Sequence, residues 1–373
     1  MEVYFAADNI FSPLGRTTEE NFSRLKTGET GVKRHISHAL QDLEYYASLF
    51  SDNDTVQNVM PGFTKFENIL SASITDALIR SGLNPSDPEL ILVISSTKGN
   101  ISLLEQATTS ADTERMTLHH SAKRIAGHFD MVHPPVIVSS ACISGILALI
   151  TGRRLLQSGK YKHAVVAGAD LISTFILSGF HSFQAISAES CKPFDADRKG
   201  INLGEGAATI VLSTDKKFEN HIRLTGGSVS NDANHISGPS RTGEELSMAI
   251  SKAMKEAGVK ANEVDFISAH GTATLYNDEM EAKAIGLAGL EHVPVNSLKG
   301  YFGHTLGAAG LIETAITLQS MKENLVIPTK GFQESGVSKP IEVCRELRSV
   351  KLDHCLKTAS GFGGCNAAIV LSR

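Results

Sequence analysis

The sequence predicts an α/β protein, and three observations carry that expectation. Short apolar, β-branched runs alternate with helical stretches across 373 residues. Several helical stretches are apolar on most faces, and two distant segments repeat one strand-to-helix junction. In chain order the periodicity predicts strands at 90–95, 136–140, 164–169, 208–213, 222–226, 264–269, 293–297 and 367–371. It predicts helices over 18–27, 66–81, 121–129, 143–158, 243–257, 278–286 and 308–323. Helices apolar nearly all round, such as 143–158 and 308–323, belong between sheets.

The repeated junction suggests an internal duplication. In the first copy Val136-Ile137-Val138-Ser139-Ser140-Ala141-Cys142 leaves a strand and enters the small-residue helix beginning Ile143-Ser144-Gly145. In the second, Val293-Pro294-Val295-Asn296-Ser297 leads through a glycine-containing turn to His304 and the helix Leu306-Gly307-Ala308-Ala309-Gly310. Each strand delivers a reactive side chain to the start of an apolar helix. The expected division falls near residue 220, giving halves 1–220 and 221–373.

Composition excludes several classes. Apolar residues make up 42% and charged residues 20%, a globular profile. Lys plus Arg number 35 against 40 acidic residues, so no basic stripe marks a nucleic-acid binder. The N-terminus is acidic where a signal peptide would be basic. The best apolar run, 143–150, ends at Arg153 and Arg154, short of a membrane span. A cytoplasmic protein without membrane or nucleic-acid partners is expected. The five cysteines, 142, 191, 344, 355 and 365, form no Cys-x-x-Cys pair, which argues against both a disulfide framework and a metal site.

Cys142 is the first chemical candidate, because a thiol at a helix N-terminus meets unpaired N–H groups that favour the thiolate. Alone, it reads more readily as a buried small hydrophobe. His270, in Ala269-His270-Gly271-Thr272, and His304, in Lys299-Gly300-Tyr301-Phe302-Gly303-His304, both lie at strand-to-helix junctions beside glycines. Either could be structural; two histidines and a cysteine at matching junctions suggest one pocket. The stretch Thr358-Ala359-Ser360-Gly361-Phe362-Gly363-Gly364-Cys365-Asn366 could supply backbone N–H groups to an oxyanion, or be a tight turn. The segment 193–206 lacks the spacing of a phosphate or calcium loop and reads as an ordered turn over the site.

Taken in order, Ser140 to Gly145, Pro193 to Gly206, Ala269 to Asp278, Asn296 to Gly310 and Gly361 to Asn366 resemble the β-ketoacyl-acyl carrier protein synthases, the elongating condensing enzymes. The resemblance covers nearly the whole chain and implies a thiolase-like fold, a duplicated five-layer αβαβα arrangement. It implies that Cys142 takes an acyl chain from an acyl carrier protein thioester, with the N–H groups of Cys142 and Phe362 as oxyanion hole. His270 and His304 would stabilise the enolate formed when malonyl-carrier protein loses CO2. Lys299, with Glu313 near it, would orient the histidines. Thr272 and Thr274 would hold the phosphopantetheine arm, Phe362 would act as gate, and Asp278 would order the loop after His270. The arm arrives on the carrier, so neither metal nor other cofactor is implied. A homodimer is implied, with Lys65, Arg115, Lys123 and Arg124 as candidates for carrier docking.

The sequence departs from the family pattern in places. It is shorter by several tens of residues, between 97 and 121 and around 287–293. Ser360 stands where an aromatic is common, and Leu275-Tyr276-Asn277 replaces a proline-containing turn. These changes leave open a specialised polyketide or aryl-polyene ketosynthase. Alternatives from other classes are a Cys–His acyl-thioester hydrolase and a non-catalytic partner resembling a chain-length factor, which would lack the nucleophile.

Overall fold

The computed structural model describes residues 1–51, 59–105, 110–233 and 238–373. Its frame is one sheet of eleven strands: β1 (Tyr4–Phe11), β2 (Leu90–Ser95), β3 (Val136–Val138), β4 (His163–Asp170), β5 (Gly206–Ser213), β6 (Arg223–Asn231), β7 (Phe266–Ser268), β8 (Pro294–Asn296), β9 (Glu342–Val343), β10 (His354–Gly361) and β11 (Cys365–Ser372). The spatial order is β9-β8-β7-β10-β11-β6-β1-β5-β4-β2-β3. Within the sheet the two halves are joined by a single ladder pair, Tyr4 opposite Arg223.

On each side of that seam the order and direction of pairing are the same. Strand β2 lies parallel between β3 and β4, β5 returns antiparallel to β4, and β1 closes antiparallel to β5. Likewise β7 lies parallel between β8 and β10, β11 returns antiparallel to β10, and β6 closes antiparallel to β11.

Two helices fill the centre: α4 (Ser144–Gln157) and α8 (Ala309–Glu323). Helix α8 is buried from Ala309 to Met321 on every face, its apolar residues interrupted by small polar ones and by Glu313, which is paired inside the protein. Both pack against strands of the two half-sheets and against each other. Outside them, α2 (Lys65–Ser81) covers the first half-sheet, while α6 (Glu244–Ala257), with α7 (Leu275–Leu287) beside it, covers the second. Helix, sheet, helix, sheet and helix form the five layers. Local chemistry fixes the ends. Thr64 and Glu67 form a reciprocal capping box at the start of α2, and Gly82, at φ 64°, ends it in the left-handed conformation.

Close glycine contacts hold the two central helices together at their N-termini. A Cβ on Gly145 would lie 2.9 Å from the Leu311 backbone nitrogen, and one on Gly310 would lie 2.7 Å from that of Ile146. Only glycine permits this approach.

The sequence expectation misses two central strands. Strand β1 carries Asp8 and Asn9 in its middle, which interrupts the apolar run; in the fold Asn9 donates to the Arg16 carbonyl and to Asp76. The stretch 358–366, expected as a glycine-rich loop, is a hairpin: Thr358 to Gly361 complete β10, Phe362 to Gly364 turn, and Cys365 opens β11. The helix expected over 121–129 begins earlier, at Leu118, capped by Thr117. Residues 106–109, within the shortened segment 97–121, lie outside the described residues.

Candidate active site

The first junction turns sharply after β3. Ala141 takes φ 42°, and Ser144 Oγ accepts from the Ser140 N–H while donating to the Ala141 carbonyl. This places Cys142 two residues before the first turn of α4. At the second junction the His304 N–H donates to the Asn202 carbonyl, and its carbonyl accepts from Gly204 N–H. A Cβ on Gly204 would fall within 1.9 Å of the Phe302 oxygen, so the approach that seats His304 depends on that glycine. His270 follows β7, its own N–H and that of Gly271 held by the buried carboxylate of Glu281.

The Cys142 sulfur and one ring nitrogen each of His270 and His304 lie within 4.8 Å of one another. The two rings stand nearly perpendicular, centroids 5.2 Å apart. Cys142, His270, His304, Thr272, Thr274 and Phe362 line one cavity of about 100 Å³. Ser360, Asn366 and Phe180 line it too. Its mouth opens past Phe183, Lys199, Leu275 and Tyr276.

Burial dominates the electrostatics. It pushes the Cys142 thiol up to about 12; Cys365 adds to this, and only Lys299 and the Phe362 N–H, which points to the sulfur, act the other way. The expectation that the helix end favours thiolate is therefore overturned: enclosure outweighs it. Burial first, then Lys299, holds both imidazoles well below their ordinary value and hence neutral at pH 7. Lys299 Nζ lies 3.5 Å from His270 Nδ1. An ammonium can only donate, so Nδ1 accepts and the ring proton sits on Nε2. Neither ring nitrogen of His304 has a hydrogen-bond partner among the described residues.

Lys299, Glu313 and Asp278 stand behind the cavity wall. Lys299 Nζ donates to the His270 carbonyl at 2.8 Å and pairs with Glu313 Oε1 at 2.5 Å. Asp278 accepts from Thr272 N–H at 2.8 Å and Phe194 N–H at 2.7 Å, fixing the loop after His270 to the segment 193–206. Burial raises its carboxyl to about 6. Thr272 and Thr274 hydroxyls are 2.9 Å apart; Thr274 begins α7 without a side-chain capping bond, so helix capping does not occupy its hydroxyl. The Phe362 ring, partly exposed, rests between Phe180 and Phe183.

Sequence reasoning missed Glu281 and Lys357. The first sits one helical turn from Asp278; the second is a single lysine in the apolar run Cys355-Leu356-Lys357, a signal in itself. Of the docking candidates, none lines the cavity or its mouth. Lys65 pairs with Glu205, and Arg124 donates to the Gly62 carbonyl.

The enclosed cysteine with two neutral histidines, at twin junctions of a duplicated-looking α/β sandwich, defines an acyl-transfer site of the thiolase-like class. Residues 6–217 match the family model "Beta-ketoacyl synthase, N-terminal domain", and residues 221–333 match "Beta-ketoacyl synthase, C-terminal domain". The chain belongs to the beta-ketoacyl synthase family. It is 28% identical to 3-oxoacyl-[acyl-carrier-protein] synthase 2 of Vibrio cholerae, over 98% of this chain and 97% of that protein. It is also 28% identical to the protein of the same name in Rhizobium meliloti, over 100% and 98%. Among solved structures it resembles a beta-ketoacyl synthase from Burkholderia phymatum, with TM-score 0.89, 24% identity and coverage of 100% and 99%. It resembles the ishigamide ketosynthase/chain length factor with TM-score 0.91, 24% identity and coverage of 100% and 98%.

Proposed function

We propose that this chain is a 3-oxoacyl-[acyl-carrier-protein] synthase, joining an acyl group held on Cys142 to the two-carbon unit of malonyl-carrier protein. The observation that carries this is the thiol flanked by two neutral imidazoles in one enclosed cavity. In the first half-reaction Cys142 sulfur attacks the acyl thioester. The sulfur–carbon bond to the enzyme forms, the carrier's carbon–sulfur bond breaks, and the thiol proton leaves with the carrier as its thiol. The N–H groups of Cys142 and Phe362 hold the tetrahedral oxygen.

In the second half-reaction the malonyl carbon–carboxylate bond breaks to give CO2, and its electron pair moves to the thioester oxygen as an enolate. The Nε2–H of His270 and a ring N–H of His304 donate to that oxygen. The enolate carbon then attacks the acyl-Cys142 carbonyl and expels the cysteine sulfur, which regains a proton. Thr272 and Thr274 bind amides of the pantetheine arm, Asp278 orders their loop, and Phe362 gates the cavity. Lys299 and Glu313 orient His270. The reading needs no metal and no cofactor beyond the arm on the carrier.

Homodimerisation, a cytosolic location, and division of the chain into halves near residue 220 belong to the same reading. The last is supported by the matching strand orders. Mixing the protein with malonyl-carrier protein and acyl-carrier proteins of graded length tests it by intact mass. A product two carbons longer with a 3-keto group is expected, and Cys142→Gln should release CO2 from malonyl-carrier protein without condensing. Acylation followed only by hydrolysis would instead favour the Cys–His hydrolase.

Ser360, whose hydroxyl donates to Asn366 Oδ1 in the cavity wall, removes the aromatic bulk common at that position. This favours a specialised polyketide or aryl-polyene substrate as the second reading, which the same acyl series separates by unsaturation.

A further inference from the structure

Behind the two histidines lies a second buried lysine that the reaction described above does not use. Lys357, on β10, is fully enclosed. Its Nζ pairs with Glu313 Oε2 at 2.7 Å, the carboxylate oxygen that Lys299 leaves free. It also donates to three carbonyls: Ser268 at 3.1 Å, Ala269 at 3.2 Å and Thr358 at 2.6 Å. Ser268 and Ala269 immediately precede His270, whereas Thr358 lies on the strand that ends beside Phe362. One ammonium thus ties the strand presenting His270 to the strand presenting the Phe362 N–H.

Charge gives this clamp a second effect. An isolated buried lysine would shed its proton, and burial does lower the Lys357 ammonium; the Glu313 carboxylate is the main group opposing this. Lys299, Glu313 and Lys357 then form a triad with one net positive charge. The titratable groups facing it are the Glu281 carboxyl from α7 and, across the wall, the two imidazoles, whose protonated forms Lys357 disfavours as a nearby cation.

We infer that Lys357 is a positioning residue of the condensing reaction, sharing Glu313 with Lys299 so that His270 and His304 remain neutral donors aimed at the forming enolate. The inference rests on the functional reading above, and the readout that decides it is independent of turnover. Lys357→Gln removes the charge and keeps donor groups; Lys357→Met removes both. The histidine ring signals are followed by NMR across pH in the full-length wild type and both variants, with His270→Asn and His304→Asn giving the assignments. Loss of the positive charge should raise the pH at which His270 and His304 protonate by about one unit. The acid limb of malonyl-carrier decarboxylation should move upward with it. Titrations that superimpose on wild type, or loss of the fold in both variants, would overturn the inference. A wild type that fails to condense would sink the functional reading alone, while the ring titrations still decide the role of Lys357.

Discussion

At Cys142 the helix end and the enclosure act in opposite directions, and enclosure prevails. On the proposed reading the nucleophile starts as a thiol, so the proton and the carrier's sulfur would leave together. The histidines face the same low-polarity surroundings with the same preference for the uncharged form, reached by a shift of opposite sign: burial removes their charge and leaves N–H groups suited to an anion that exists only briefly. Protonation of His270 would set a cation 3.5 Å from Lys299. Because burial and Lys299 depress both imidazoles, decarboxylation of malonyl-carrier protein should hold its rate as pH falls through 6.5 and decline only well below it. The linkage sign agrees. A histidine neutral in the fold but titrating near 6.5 when unfolded withdraws stability as pH drops below 6.5. A rate profile already falling at pH 7 would contradict this. The reactive trio was legible in the sequence because each member sits at a glycine-flanked junction. Lys357 was not, since its meaning depends on Glu313 arriving from another helix.

Among the elements, the crossing of α4 and α8 governs how near the thiol comes to His304. Ile146 and Leu311 press on glycines rather than on side chains, which lets the two helix starts converge. Gly310→Ala would overpack this contact. We expect a loss of about 1–3 kcal/mol in denaturant unfolding and a fall in condensation larger than that loss of folded protein explains. An unchanged midpoint and rate would show that the crossing has slack. The pattern of α4 and α8, apolar on most faces, announced their central place. Strands β1 and β10 were hidden because Asp8, Asn9 and Lys357 break their apolar runs. Each break is a polar group answered by a distant partner, which periodicity alone cannot register.

At the scale of the molecule, β3 is one of the two edges of the sheet, and Val136 and Ile137 there are only partly covered. An unpaired, β-branched edge invites a second strand. Light scattering at micromolar concentration should give twice the monomer mass of 39.9 kDa; a monomer would leave this edge unexplained. No described helix is long and apolar enough to cross a membrane.

The shared strand order on either side of the Tyr4–Arg223 seam has an evolutionary reading. Cys142 and His304 occupy corresponding corners of two like units, each at the mouth of a central helix. On the proposed reading neither unit alone owns the chemistry: one would supply the group that stores the acyl chain, the other the groups that make the carbon nucleophile. A chain nicked between Ser213 and Arg223 should therefore still work if its two pieces are made together, and neither piece should work by itself. On that reading the catalyst would behave as a heterodimer of sibling domains whose partners can never diffuse apart, free to specialise without losing register.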